Sequence, residues 1–265
     1  MNLVEHFRCA YGKSQDGLTY EGPLLLHDHV MDVTRVITHV LRHSRPAGYD
    51  DRRADALVLA GYLHDIGKLD ERFKEMLWRV NRGESLVGLP RVKHEASTFD
   101  FSRMVTLEDL TAVADAIEVE TSYRVGSAHL ADTRLLEDVW AHAVTHHGLF
   151  YVSTETHNGE RRPCIRRQWT VFYPSEESRL TLADLLFEYH PLGGLVIVGD
   201  IVASAWHGWR RPLSEMLQQY HTLDELMRLV QRPDTQAEAA EQIRRDERRD
   251  THLSDMIALL LGGVR

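Results

Sequence analysis

Apolar positions set the outline of the chain. Between Leu24 and His43, the residues His29, Val33, Val36 and Val40 recur at spacings of four, three and four, the inward stripe of a helix. Pro46, Gly48, Asp50 and Asp51 mark a loop and an acidic helix start. The apolar run that begins at Ala54 predicts a second helix over about 52–66, stopped by Gly67. Lys68 to Asn81 carries Leu69, Phe73, Met76, Leu77 and Val80 on one side and predicts a third. A loop over 83–90 precedes a helix opening at Lys93-His94, and Thr106 to Glu120 and Thr133 to His146 predict two more. After Gly148 the period changes. Leu149 to Thr156, Asn158-Gly159 and Arg162 to Tyr173 read as strand, tight turn and strand. Helical patterning returns at Leu180 to His190, Leu195 to Trp209, Leu213 to Val230 and Gln236 to Leu261, the last two charged enough to form an outer layer. No repeat, low-complexity tract or linker interrupts the chain. The expectation is one mostly α domain over 1–265, with a small β-hairpin insertion around 149–173.

Composition narrows the class. With 265 residues, 43% hydrophobic and 27% charged, the chain can bury a substantial core as a soluble globular protein. A net charge of −9 gives no global positive field toward nucleic acid, although bound divalent cations would supply strong local positive charge. Two cysteines, Cys9 and Cys164, are too few for a disulfide framework and fit a reducing compartment. The start lacks a basic segment followed by an apolar one, and the run from Leu195 to Trp206 is short and contains Asp200. Export and membrane insertion are therefore not expected, and a cytoplasmic location is. Gly12-Lys13-Ser14 resembles the end of a phosphate-binding loop. Phe7 stands where that loop needs its first glycine, so no ATP binding by this chain is expected.

Candidate chemistry centres on His64-Asp65, in which an imidazole and a carboxylate come from neighbouring positions. The carboxylate can bridge two cations through its two oxygens. Further ligand-type groups lie at wide intervals on or beside apolar stretches: His29, His94, His146-His147 and Asp200. Read singly, a histidine in an apolar helix equally serves as a hydrogen-bonded core residue, His94 as a helix start and His146-His147 as a helix end. Asp200, inside Val196-Ile197-Val198-Gly199-Asp200-Ile201-Val202, must be paired, protonated or metal-bound if it is buried. His27-Asp28 is a second such dipeptide; the pair does not share the phase of His29 and the valines, so it is read as a surface or helix-start pair. Taken jointly, the set points to a two-metal phosphodiesterase.

In this order the segments resemble the HD superfamily, and within it the HD nuclease of type I CRISPR interference. The resemblance rests on Gly12-Lys13-Ser14, His29-Val30-Met31-Asp32-Val33, His64 to Lys68, Lys93-His94 with Ser97, His146-His147-Gly148, and Asp200 with Ala203-Ser204, spanning about residues 11–206. It implies two adjacent divalent metal ions, one held by His29, His64, Asp65 and Asp200, the other by His94, His146 and His147, with Asp65 shared. The imidazole-rich donors favour Mn, Fe, Co or Ni, with Mg possible. The implied activity is hydrolysis of single-stranded DNA, as an endonuclease or exonuclease, by water activated between cations about 3.5–4 Å apart. Asp65 and Lys68 would be the catalytic pair, Lys68 contacting a phosphate oxygen or the nucleophile; its plain alternative is a helix-start surface lysine. Ser97 and Ser204 would steady ligands from behind or pack, with contact to substrate the lesser alternative, and Asp32 would orient a ligand histidine or pack. Arg166 and Arg167 would grip a phosphate backbone while Trp169 stacks a base, or the hairpin charges would simply block edge pairing. Family members often carry a helicase on the same chain. This length leaves no room for one, so the expected partners are single-stranded DNA, a separate CRISPR helicase subunit and the surveillance complex. The alternatives are an HD phosphohydrolase of nucleotides or cyclic nucleotides, and a non-catalytic HD subunit of an assembly.

Overall fold

The computed structural model describes residues 3–13, 24–43, 45, 50–89, 94–146, 152–157, 160–167, 170–172, 190–208, 213–222 and 225–226. Helix α1 (Leu3–Cys9) leads to α2 (Leu26–His43), whose buried face carries His29, Val30, Val33, Val36, Ile37 and Val40. Helix α3 (Asp51–Leu63) begins where the Asp50 side chain accepts from the Arg53 amide, a cap that satisfies one free N–H of the first turn. From Ala54 to Leu63 every residue of α3 is buried, as suits a helix packed on all sides, here by α2, by α6 (Leu107–Thr121), by α8 (Thr133–Thr145) and by α9 (His190–Gly208).

The α3 chain does not run straight into the next helix. His64 and Asp65 form a turn, and Ile66–Leu69 a short 3₁₀ helix that feeds α4 (Glu71–Asn81) through its Asp70 cap. The single helix expected over 52–66 is thus shorter, and the ligand-type pair sits just past its end. Helix α5 (His94–Ser102) packs on the 3₁₀ turn. A short α7 (Ser127–Leu130) follows α6, and α10 (Leu213–Gln219) packs on α2 and α9. Asp55, buried in α3, is satisfied by the Tyr123 hydroxyl at 2.9 Å, the Gly126 amide at 2.9 Å and His129 Nδ1 at 2.6 Å, so it ties α3 to the α6–α7 connection.

Between α8 and α9 lie three antiparallel strands in the order β1-β2-β3: β1 (Val152–His157), β2 (Glu160–Arg167) and β3 (Thr170–Phe172). The register pairs Val152 with Ile165, His157 with Glu160, and Ile165 with Phe172. The sequence pattern assigned Arg162 to Tyr173 to one strand; here that run is divided between β2 and β3. Asn158, Gly159, all but the last residue of the helix expected over Leu180 to His190, and the charged helix expected over 236–261 lie outside the described residues. Among those described, no helix is long and apolar enough to cross a membrane.

Candidate metal centre

Four described segments aim imidazoles at one buried carboxylate. Asp65, 2% exposed, sits at the turn after α3, and its two oxygens face different partners. Oδ2 lies 3.2 Å from His29 Nε2, 3.3 Å from His64 Nε2 and 2.6 Å from Lys68 Nζ. Oδ1 lies 3.1 Å from His94 Nε2 and 4.0 Å from His146 Nε2. On the first side Asp200 Oδ1 completes the group, 3.2 Å from His29 Nε2.

Each contact follows from how its segment folds. His29 points inward because α2 buries the stripe it shares with the valines. Helix α9 comes close to α2 at Gly199, where an added Cβ would stand 3.2 Å from Val33 Cγ1 and 3.3 Å from the Val33 carbonyl. That close approach lets the next residue, Asp200, reach His29. His64 Nδ1 is 2.8 Å from the Gly61 carbonyl, and His146 Nδ1 meets the Ala143 carbonyl. Both carbonyls lie three residues back, and an N–H given to them leaves the Nε2 lone pair for the cluster. The His94 ring packs edge-on against Phe73, with centroids 5.2 Å apart. At 15% and 29% side-chain exposure, His94 and Asp200 mark where solvent reaches the cluster.

The donor set fits cations. His29 is fully buried, yet neither ring nitrogen has a hydrogen-bond partner among the described residues, and the same holds for His64 Nε2. Leaving a buried polar atom unsatisfied costs about 1–3 kcal/mol. A cation between the Nε2 atoms of His29 and His64 and the carboxylate oxygens would offset that cost at Nε2. His29, His64 and Asp200 each bring one donor atom within 4.8 Å of the others, and so do His64, Asp65 and His146. Charge follows the same geometry. Burial opposes ionisation of Asp65, but Lys68 and His64 beside it hold its carboxyl well below the usual carboxylate range. Burial, with the Lys13 charge adding, pushes the His29 imidazole down, whereas burial of His64 is outweighed by the charge of Asp65, which raises it.

The remaining sequence candidates divide clearly. Lys68 is buried rather than on the surface; it pairs with Asp65 and donates to the Gly12 carbonyl at 2.8 Å. The Ser204 hydroxyl donates to Asp200 Oδ1 at 3.0 Å. Ser97 instead donates to Asp70 Oδ2 at 2.8 Å, joining α5 to the α4 cap away from the ligand oxygens. Asp32 pairs with Arg35 at 2.6 Å and with His207 at 3.0 Å. His147 and Trp169 lie outside the described residues, and Arg166 and Arg167 occupy β2, paired with Val171 and Thr170. His27 corrects the surface reading: it is 6% exposed, and its Nδ1 is 2.9 Å from the Tyr62 hydroxyl. Lys13 was missed as a site residue. Its Nζ donates to Ser204, so the Gly-Lys start contributes to the centre from one residue before the family pattern's serine. The sequence signal for it is the Gly12-Lys13-Ser14 start, which opens the family resemblance although it lacks the first glycine of a phosphate loop.

Comparison with known proteins adds one match: a family model described as Cas3, HD domain, covers residues 11–243. No curated protein and no solved structure matches the chain.

Proposed function

Because this chain belongs to the Cas3 HD-domain family, the HD-type metal-dependent nucleases of CRISPR systems, we propose that its centre holds two divalent cations and hydrolyses single-stranded DNA. The observation that carries this reading is the division of Asp65: Oδ2 toward His29 and His64, Oδ1 toward His94 and His146. One shared carboxylate between two imidazole sets suits a pair of ions better than a single one. His29, His64, Asp65 and Asp200 would hold one ion, and His94, His146, His147 and Asp65 the other. When bound, such a pair lowers the pKa of a water and takes up negative charge on the phosphate.

The chain's own groups do the rest. Carbonyls of Gly61 and Ala143 fix two imidazoles in the tautomer that ligates. Lys68 holds Asp65 ionised and directs its Oδ2, so it is a positioning residue for the centre. Ser204 and Lys13 orient Asp200. The openness at His94 and Asp200 supports entry of a phosphodiester from that side. Arg166 and Arg167 on β2, with Trp169 nearby in sequence, are the proposed contacts to the strand. A separate helicase subunit supplying the unwound strand, and the surveillance complex that recruits it, are the proposed partners.

The test is a substrate panel on the full chain, stripped with chelator and reloaded with Mn, Co, Ni, Fe or Mg. Circular and linear single-stranded DNA, duplex DNA, RNA, deoxynucleoside triphosphates and cyclic dinucleotides would be compared. Cleavage of single-stranded DNA that returns with a transition metal is the expected result. Turnover of nucleotides alone would make the protein a phosphohydrolase, and no hydrolysis with any metal would make it a non-catalytic subunit.

A further inference from the structure

A second group of imidazoles gathers where the last turn of α2 meets the segment after α10. His39 and His43 are four residues apart on α2 and so share a face. Their ring centroids are 4.2 Å apart, and the His221 ring lies 5.3 Å from the first and 4.9 Å from the second. One donor nitrogen from each of the three lies within 4.8 Å of the other two. None of the three residues belongs to the Asp65 cluster.

The hydrogen bonds set which ring nitrogens carry protons. His43 Nδ1 sits 2.9 Å from the His39 carbonyl, so it carries the proton and leaves a lone pair on Nε2. His39 Nε2 is 3.2 Å from His221 Nδ1. Two nitrogens at that separation match an edge of the tetrahedron about a zinc ion, roughly 3.3 Å for Zn–N bonds of about 2.0–2.1 Å. The Tyr220 carbonyl, 2.9 Å from the same His39 nitrogen, accepts its N–H in the metal-free protein, so ligation through that nitrogen displaces this proton. His43 lies in the last turn of α2, where free carbonyls favour a cation.

We propose that His39, His43 and His221 form a zinc site, separate from the nuclease centre, that pins the segment following α10 to the end of α2. An imidazole donor set selects zinc-like cations over Mg or Ca. The site's role is structural, since it joins the last turn of α2 to the segment that follows α10.

The experiment measures zinc per chain by elemental analysis after dialysis against zinc-buffered solution. The proteins are the wild type, His43→Ala, His221→Ala, Asp65→Ala and the Asp65→Ala/His221→Ala double variant. His43 and His221 are exposed, so their replacement leaves the core intact; circular dichroism checks this. Each histidine variant is expected to lose one zinc equivalent, and the loss is expected to add to that of Asp65→Ala in the double variant. Zinc should raise the melting temperature of Asp65→Ala and fail to raise that of the double variant. Equal zinc content and equal zinc response in those two proteins would overturn the site and leave a hydrogen-bonded histidine cluster. Loss of cleavage in Asp65→Ala bears on the nuclease reading alone.

Discussion

The His94 carbonyl occupies the space that a side chain on Gly67 would need: an added Cβ would stand 1.7 Å from that oxygen. The glycine of the His-Asp-x-Gly-Lys run is therefore a packing requirement. Only a bare Cα lets α5 lie against the 3₁₀ turn and carry His94 to the far oxygen of Asp65. Gly67→Ala must push α5 away, at a cost on the order of 1–3 kcal/mol for overpacking. The expected result is a lower thermal midpoint together with loss of DNA cleavage, read by melting curves and a nuclease assay. An unchanged midpoint with full activity would show that the close approach is absent.

Asp65→Asn keeps the shape of the side chain and removes the charge that both imidazole sets face. Metal content should fall at both halves together, with cleavage reduced by more than the roughly 10–100-fold typical of an outer partner. Elemental analysis beside a single-turnover assay checks this; retention of all metal would sink the shared-carboxylate assignment.

Ser204→Ala removes the hydroxyl that donates to Asp200 Oδ1 and takes a hydrogen bond from Lys13. The expected effect is about 10–100-fold weaker metal binding with the fold intact. A metal titration of cleavage rate measures it, and excess metal should recover much of the activity.

His142, buried in α8, has its pKa pulled from 6.5 down to about 3 by burial, with the Arg53 charge adding. Between those values the unfolded chain binds more protons at this group than the folded one. Its contribution to stability is therefore complete above about pH 6.5 and is lost as pH falls toward 3, by about 1.4 kcal/mol per unit well inside the window. Urea unfolding of metal-free protein from pH 7 to 5 should show a steeper acid loss in wild type than in His142→Leu. Parallel slopes would mean that folding does not lower the His142 pKa.

Replacing Arg166 and Arg167 together by alanine should weaken single-stranded DNA binding and flatten its salt dependence. The change in slope is about 0.7 per lost phosphate contact, so about 1.4 for the pair. Fluorescence anisotropy at several salt concentrations reads it, and hydrolysis of a small phosphodiester should be unaffected. An unchanged slope would leave these arginines as charges that protect a strand edge.

Much was legible in the sequence because local periodicity reports which side of a helix faces inward. The stripe of His29, Val33, Val36 and Val40 placed His29 inside, and the apolar run around Asp200 demanded a partner for its carboxylate. Gly67 marked a break near the end of α3, although the helix stops at Leu63 and Gly67 lies within the 3₁₀ turn that follows. Periodicity names a buried face without naming what lies across from it. Hence His27, read as part of a surface or helix-start pair, does stand in the first turn of α2 but meets Tyr62 in the interior, and the two readings of Lys68 divide on partners that no local pattern names. The part played by Lys13 depends on Ser204, 191 positions away.

Residue type and local pattern determined that this chain is helical and that it buries imidazoles and acids it must satisfy. Tertiary structure alone decided which oxygen of Asp65 meets which imidazole, and that His39, His43 and His221 meet at all. The physical reason is that a donor atom's direction is set by helices packing from distant parts of the chain, at spacings of tenths of an ångström that no local repeat encodes.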